Sequence, residues 1–397
     1  MKISFNRMEW AGSVGDLGTL LPLAFGMIMI NGLSATGLFL TIGLMYILAG
    51  SYFRVPIAVQ PMKVVSAYGI ALALTPGVIT GSGMLLAALL LILGATGLVN
   101  VVAKVVPRPV IRGVQLATGV LLLSKGASLI VGNSPFQAMR GGVEPYLSVQ
   151  ALGPVPMSVV TGVLFGLVTL FLLKNRRYPA GLVVVVCGAA FGAALGAWRE
   201  LASASVGLHL PEILPFGLPT GVDLTYGLFA LVLPQIPMTM GNAVIASRDL
   251  SFEYFGEESR RVTDRALCIS MGLANVFSSL VGGMPVCHGA GGLAAHYAFG
   301  ARTAGSNIVI GGFFLLLAVL LGPGSAGALH LLPMGVLGVL LFFSGIQLAL
   351  TIQDVESRSH LFVIVVMLGI TLAANLAWAF GVGLVLMHLM NKGRITV

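Results

Sequence analysis

The sequence is poor in charged residues and in cysteine. Only 9% of its 397 residues are charged, whereas 57% are hydrophobic and the mean hydropathy is +1.01. Soluble domains carry about 25% charged residues, so a soluble protein is excluded. The three cysteines (Cys187, Cys268 and Cys287) lie in separate apolar stretches and predict neither a disulfide framework nor a metal cluster. We therefore expect an all-α polytopic membrane protein without a metal or cofactor.

Apolar runs broken by glycine and proline fill most of the chain. A spanning helix needs about 20 predominantly apolar residues, and the 53 glycines and 19 prolines are typical of packed or interrupted membrane helices. The runs predict about 14 transmembrane segments. Their expected ranges are 12–31, 34–53, 56–75, 82–103, 110–132, 155–173, 179–197, 224–247, 266–283, 285–301, 304–322, 328–350, 360–374 and 376–391.

The positive charges predict the orientation. With an even number of spans both termini lie on one side, and 17 of the 21 Lys and Arg residues then fall on the side of Met1. Arg140 and Arg199 fall on the other side, while Lys63 and Lys125 lie within the membrane. Because cytoplasmic loops are enriched in Lys and Arg, we expect cytoplasmic N- and C-termini in the cytoplasmic (inner) membrane. The net charge of +8 is then a topology signal, and nucleic-acid binding is not expected.

An internal repeat is visible at a fixed offset. A shift of 229 residues places Pro56 on Pro285 and Tyr68 on Tyr297. Seven segments in each half is an odd number, so the second half must enter the membrane inverted, with repeats at residues 1–200 and 213–397. Inverted repeats are typical of transporters, whose substrate sites lie at the midplane between broken helices.

The third and tenth segments are the interrupted elements of this repeat. Pro56 and Pro61 exclude regular helix until about Met62, and PVCHGAGG delays the tenth helix until near Gly292. Two helix N-termini that face each other near the midplane would bind an anion. The alternative is that both stretches are only kinked packing elements.

Lys63 and Asp16 are the charged residues that need explanation. An ammonium at the bilayer centre costs about 2.5–3.5 kcal/mol on insertion scales, so Lys63 either attracts a dianion, pairs with Asp16 or snorkels. Asp16 lies in GSVGDLGTLLP and could relay a proton, partner Lys63 or set the helix geometry. The sequence leaves these alternatives open.

The eighth segment contains polar residues at helical spacing. Gln235, Thr239 and Asn242 could offer amide and hydroxyl donors to a tetrahedral oxyanion, between prolines that we expect to break the first turn. Their alternative role is polar contact between helices.

Other polar residues are ambiguous. His288 and His296 provide too few ligands for zinc; His288 is a candidate pH-sensitive lining residue and His296 a packing residue. Lys125, with Arg112 and Gln115 on the same segment, is expected near the cytoplasmic path or at lipid headgroups.

Four motifs resemble the molybdate transporter family, a branch of the sulfate permease (SulP) superfamily: GDLGTLLP, VQPMKV, PQIPMTMGNAV and GGMPVCHGAGGLAAHYAFGART. The resemblance covers essentially the whole chain. It implies a 7+7 inverted repeat, with a core domain of segments 1–4 and 8–11 and a gate domain of segments 5–7 and 12–14. It also implies half-helices at segments 3 and 10 and an elevator-like movement of the core.

The resemblance also implies the site residues. Substrate binding falls to Gln60, Met62, Lys63, Gln235, Thr239, Cys287, His288, Gly289, Ala290 and Gly291. Gln235 stands where many relatives of the wider fold have an acidic residue, so the candidates for proton coupling become Asp16 and His288. The chain ends at Val397, so we expect no STAS domain. A homodimer through the gate domain is common in the superfamily and is an open expectation.

Together these features predict a secondary active transporter, not an enzyme, that imports molybdate with protons in contact with membrane lipids. A sulfate or tungstate transporter of the same mechanism and an anion channel are the alternatives. A nucleobase transporter of related fold and a membrane-embedded enzyme built on Cys287 and His288 have less support.

Overall fold

The fold, given by a computed structural model, is mostly α-helical and is described for residues 3–99, 106–173, 175, 178–199 and 206–395. The helices of the first half are α1 (Arg7–Ser13), α2 (Leu17–Met29), α3 (Ala35–Phe53), α4 (Lys63–Leu72), α5 (Pro76–Thr96), α6 (Arg108–Val131), α7 (Pro135–Met139), α8 (Met157–Leu172) and α9 (Ala180–Ala197). Those of the second half are α10 (Gly221–Ser259), α11 (Asp264–Leu280), α12 (Ala290–Ala298), α13 (Gly305–Leu321), α14 (Gly324–Leu329), α15 (Met334–Asp354), α16 (Arg358–Ala373) and α17 (Leu376–Asn391).

Four two-residue strands accompany the helices. β1 (Gln60–Pro61) pairs antiparallel with β4 (Val286–Cys287), and β2 (Ala151–Leu152) pairs with β3 (Val155–Pro156). The first pair joins the two interrupted segments, which are more than 200 residues apart in the chain. Sequence reasoning placed these stretches opposite each other but did not predict that they share a sheet.

Helix lengths support a multi-pass membrane protein. Within the described residues, six helices are long and apolar enough to cross a bilayer, or seven if the bent pair α1 and α2, which meet at 41°, counts as one span. Several other apolar helices are shorter, including α4. Each of the 14 expected segments overlaps a helix, but the count of 14 spans and the inverted repeat stay predictions.

Several expected boundaries are wrong, and α10 in particular runs to Ser259 and not to residue 247. α5 begins at Pro76 and not at residue 82, because the Thr75 side chain accepts a hydrogen bond from the Val78 N–H and proline is favoured in a first helical turn. α12 begins at Ala290, two residues before the expected start at Gly292. The expected end of segment 4, and the topology residues Lys2, Lys104, Lys174, Arg176 and Arg177, lie outside the described residues.

The expectation that prolines break the eighth segment is also wrong. α10 runs through Pro234 and Pro237 without a break, and wide π-helical turns occur at Leu228–Val232 and Thr239–Ala246. A π-turn adds a residue to the helix turn and relieves the clash and missing N–H that proline imposes on an α-helix. The helix therefore accommodates the two prolines through π-helical turns and continues without a break.

Two sets of helices make the closest contacts. The first group comprises α3 with α13 and α5 with α11, and the second comprises α6 with α15 and α16, and α8 with α15; α4 also contacts α6, and α2 contacts α15. Glycine allows the closest of these approaches: a Cβ at Gly119 would lie 2.7 Å from the carbonyl oxygen of Gly345. Between α2, in the predicted core domain, and α9, in the predicted gate domain, a Cβ at Gly181 would lie 2.6 Å from the Cα of Gly18.

Two buried glutamates fix helix starts away from the interrupted segments. Glu9 accepts N–H bonds from Thr303 and Ser306, at the beginning of α13. Glu144, in the loop after α7, accepts N–H bonds from Met334 at 2.6 Å and Gly335 at 2.8 Å, the first residues of α15. Burial raises the pKa of Glu144 to about 7, although both N–H donors act to lower it.

Candidate functional site

The β1–β4 pair places two helix N-termini side by side. Gln60 lies opposite Cys287, and the Met62 N–H donates to the Pro285 carbonyl at 2.9 Å. α4 begins directly after β1, with Met62 as its N-cap, and α12 begins after β4, with Gly289 as its N-cap. Neither cap residue makes a side-chain cap hydrogen bond, so the N–H groups of both first turns are available to other partners.

Two buried asparagines hold the extended backbone that precedes these helices. The Asn307 side chain accepts from the Ile57 N–H at 3.1 Å and donates to the Ile57 carbonyl at 2.7 Å. Asn275 makes the same pair of bonds to Val286, both at 2.8 Å. Sequence reasoning missed both residues, although an amide within an apolar segment was the available signal.

At the start of α4, Gln235 accepts a hydrogen bond from one of the backbone N–H groups of the first helical turn. Its Oε1 accepts from the Val64 N–H at 2.9 Å, while its Nε2 donates to Thr239 Oγ1 at 3.0 Å. Gln235, Thr239 and the Met62 side chain are buried. The structure therefore brings the polar residues of α10 to the start of α4, as the sequence predicted.

At the second helix start, the backbone faces open space. Gly291 is exposed and Ala290 is half-buried, whereas the neighbouring Gly289 is buried. A Cβ at Gly291 would meet no atom within 4 Å. The first turn of α12 thus has room for a ligand.

Asp16 lies in the bend between α1 and α2 and reaches this second helix start. Gln60 Nε2 donates to Asp16 Oδ1 at 2.7 Å, and both side chains are almost fully buried. Asp16 Oδ2 and Gln60 Oε1 each lack a hydrogen-bond partner among the described residues. An unpartnered carboxylate oxygen at such depth is costly when it is charged.

Glycine makes this arrangement possible at two positions. A Cβ at Gly292 would lie 2.4 Å from Asp16 Oδ2, and one at Gly289 would lie 1.8 Å from Gln60 Oε1. Real Cβ atoms do not approach so closely. Asp16 and Gln60 therefore fill the space that side chains at 289 and 292 would need.

Lys63 is half-buried and lines a cavity of about 210 Å³. Arg112, Gln115, Asn242 and Gln347 also line this cavity. No ion pair joins Lys63 to Asp16 or to any other residue that the structure describes.

A second cavity of about 590 Å³ continues from the first, and the two share Thr19, Ser344 and Gln347 as lining residues. It lies between the bend at Gly15–Gly18 and the helices α8, α9 and α15. The two cavities form a vestibule between the two packing groups, and Lys63 lies at one end of it.

The other predicted residues of the tenth segment point into the protein. The His288 ring is fully buried, with Nδ1 3.0 Å from the Ala58 carbonyl oxygen and Nε2 3.1 Å from Ser270 Oγ. A carbonyl only accepts, so Nδ1 carries a proton in this arrangement. Cys287 Sγ donates to the Pro61 carbonyl over 3.8 Å.

His296 has a similar packing environment. Its Nδ1 lies 2.7 Å from the Gly12 carbonyl oxygen, and its Nε2 lies 3.2 Å from the Tyr46 hydroxyl. The ring links α12 to α1 and α3 and lies outside the vestibule lining. Of the polar residues predicted near the cytoplasmic path, Arg112 and Gln115 line the smaller cavity, whereas Lys125 does not.

The fold resembles solved anion transporters. The transmembrane domain of a cyanobacterium bicarbonate transporter, BicA, matches with a TM-score of 0.67 at 17% identity, over 97% of this chain and 98% of that one. The murine Solute Carrier 26 family member A9 anion transporter, in its inward-facing state, matches with a TM-score of 0.69 at 16% identity, over 100% of this chain and 70% of that one. At these identities the likeness establishes the fold alone.

Sequence comparison is more specific. Molybdate transporter 2 of Arabidopsis thaliana is 31% identical over 96% of this chain and 87% of its own length. Molybdate transporter 1 of Chlamydomonas reinhardtii is 31% identical over 95% of this chain and 90% of its own length. A family model described as "Molybdate transporter of MFS superfamily" matches residues 8–122 and 227–348, which include both interrupted segments. The chain therefore belongs to the molybdate transporter family, a family of membrane transporters and not of enzymes, and it has a SulP-type fold.

Proposed function

We propose that this protein is a secondary active transporter that imports molybdate across the cytoplasmic membrane together with protons. The observation that carries the proposal is the pair of helix N-termini, at Lys63 and Ala290, beside a cavity lined by a lysine that forms no ion pair with the described residues. Converging helix dipoles with one full positive charge suit a tetrahedral dianion. Cys287, Gly289 and Gly291 contribute to the site through backbone geometry.

The vestibule supports an elevator-like mechanism. Its smaller cavity is lined by residues of α2, α4 and α10, which we propose carry the site, and by residues of α6 and α15. In the proposed mechanism the first packing group is the core and the second is the gate. Displacement of the core against the gate closes this vestibule and opens one on the other face of the membrane.

Asp16 is the proton carrier of this proposal, and Gln60 connects it to the anion. When Asp16 is charged, Gln60 Nε2 donates to it and Gln60 Oε1 faces Gly289, where an oxygen repels an incoming oxyanion. When Asp16 is protonated it can donate to Oε1 instead, so the amide turns over and Nε2 faces the N-terminus of α12. Proton and anion binding then favour each other.

His288 fits this coupling role less well than Asp16. Both of its ring nitrogens have partners within the protein, and its ring packs edge-to-face on Phe53. An imidazolium could donate to both the Ala58 carbonyl and Ser270 Oγ, but it would place a full positive charge at a fully buried position. We propose that His288 binds the Ala58 carbonyl and so fixes the backbone that leads to Gln60.

The test is uptake of labelled molybdate into proteoliposomes that contain the purified protein, with and without an inward proton gradient. We expect accumulation that depends on the gradient and that unlabelled molybdate inhibits more strongly than sulfate or tungstate. Stronger inhibition by sulfate or tungstate would reassign the substrate.

Flux that follows only the anion gradient, unaffected by pH, would make the protein an anion channel. Absence of uptake and of binding under every gradient would overturn the proposed function.

A further inference from the structure

Arg112 lines the same cavity as Lys63 but lies on a different helix, in the first turns of α6. Its Nε donates to Asp354 Oδ1 at 2.9 Å, and a second guanidinium nitrogen pairs with Asp354 Oδ2. A third contact runs to Gln115 Oε1 at 2.7 Å. The guanidinium is thus held in a fixed orientation beside the cavity.

The stability gained from the ion pair with Asp354 does not explain why an arginine lies beside this cavity. The Arg112 side chain is 27% exposed and the Asp354 side chain 52% exposed. Pairs in such positions contribute about 0–1 kcal/mol to stability, since solvent screens them. A pair of this kind gives no stability argument for an arginine that faces the vestibule.

The donors that remain unused point to a ligand. A guanidinium has five N–H donors, and three are used by Asp354 and Gln115, so two have no partner in the part of the chain that the structure describes. Gln115 Oε1 accepts from both Arg112 and Thr351, which fixes the amide and leaves Gln115 Nε2 as a further donor. Both residues line the same 210 Å³ cavity as Lys63.

We propose that Arg112 and Gln115 form a second oxyanion station on the gate side of the vestibule, which receives the anion when it leaves Lys63. Asp354 holds the Arg112 guanidinium in place and offsets part of its positive charge. The anion therefore binds at this second site weakly enough to dissociate. The inference rests on the proposed function, because it assigns a second position to the same substrate. It also rests on the predicted orientation, in which α6 begins on the cytoplasmic side.

Opposite effects of two substitutions distinguish this station from a structural ion pair. Arg112→Gln and Asp354→Asn both remove the ion pair, so a merely structural pair predicts the same change for both. A station predicts that Arg112→Gln raises the KM for molybdate on the vestibule side by about five- to tenfold, the loss of one nearby charge in a solvated site. Asp354→Asn frees the guanidinium and lowers that KM by about two- to fivefold.

The measurement is molybdate transport from each side, in inverted membrane vesicles and in right-side-out vesicles. We expect the KM on the opposite side to change less than about twofold for both variants, since the station is reached only through the vestibule. Arg248→Gln is the matched control, because Arg248 also pairs with two aspartates but lines neither cavity.

Equal shifts of the same sign for the Arg112 and Asp354 variants, or no shift, would overturn the second station while leaving molybdate transport intact. Wild-type vesicles without any molybdate transport would instead overturn the proposed function, and the inference with it. Monodispersity by size-exclusion chromatography confirms that each variant is folded.

Discussion

The two interrupted segments share a backbone but differ in charge. Each has a two-residue strand, an asparagine that binds both the N–H and the carbonyl of one extended residue, and a helix that begins beside the other. The offset of 229 that aligns Pro56 with Pro285 also aligns Lys63 with Gly292. Where the first segment has a cation, the second has an empty glycine position, and the Asp16 carboxyl group fills that space.

The difference in charge between the two interrupted segments separates anion binding from its dependence on protonation. A pair of equal helix ends binds an anion without regard to pH. In the proposed function, a fixed cation on one side adds affinity, while a carboxyl group on the other side makes the affinity depend on protonation. We propose that the backbone forms the site and that these side chains couple anion binding to proton binding.

Lys63→Ala removes the positive charge of the first interrupted segment and should have the largest effect on molybdate affinity. We expect affinity for molybdate to fall by about 100-fold, because a dianion loses a nearby cation in a partly desolvated site. Isothermal titration calorimetry on the purified protein measures this. Lys125→Ala, which removes a membrane lysine outside the cavity, should change affinity less than about twofold, and a well-folded Lys63→Ala variant with full affinity would refute the role of Lys63.

Gln235→Glu makes the first helix start resemble the second by placing a carboxylate there. The new carboxylate accepts the Val64 N–H as Gln235 does, but it repels the anion, so we expect affinity to fall by about tenfold at pH 7. Affinity should recover towards acid pH as the carboxyl group is protonated. An affinity equal to that of the wild type at pH 7 would show that Gln235 lies outside the anion's field.

Asp16→Asn removes the titrating group that lies beside the second interrupted segment and keeps its shape. The asparagine amide can donate to Gln60 Oε1, as protonated Asp16 would, so affinity should stay within about threefold of the wild type. Accumulation driven by a proton gradient should be lost, while molybdate exchange persists. Flux assays across a range of pH values test this, and retained proton-driven accumulation would exclude Asp16 as the carrier.

Glu144→Gln tests whether the pH dependence of transport arises only beside the second interrupted segment, at Asp16. Of the four substitutions, we expect this one to change transport least. Because the fold raises the pKa of Glu144 from 4.5 to about 7, its stabilising contribution is complete below about pH 4.5 and is lost as pH rises through 7. The wild-type melting temperature should therefore fall by roughly 5 °C across this range, and less in the variant. The pH dependence of transport should be unchanged, and its loss would assign coupling to the gate.

Much of the site was predictable, because proline, glycine and a buried charge act locally. Pro61 forbids helix before Met62, and an isolated Lys63 in an apolar stretch demands a polar environment. The rest depends on long-range contacts that a pattern does not contain. Asn307 meets Ile57 across 250 residues and Arg112 meets Asp354 across 242, and the course of α10 through Pro237 depends on π-turns that propensity does not predict.

The contact between Gly181 and Gly18 bears on how fast the two groups can move. Neither residue has a Cβ, so no side chain interlocks there and a sliding displacement needs no rotamer change at that point. Resistance to movement must then come from the polar groups that lose their partners or water on the way, above all Lys63 and Asp16. In the proposed mechanism, a bound anion gives Lys63 a counter-charge and a bound proton removes the charge of Asp16. The protein with a proton alone has an uncompensated Lys63, which opposes leakage of protons without the anion.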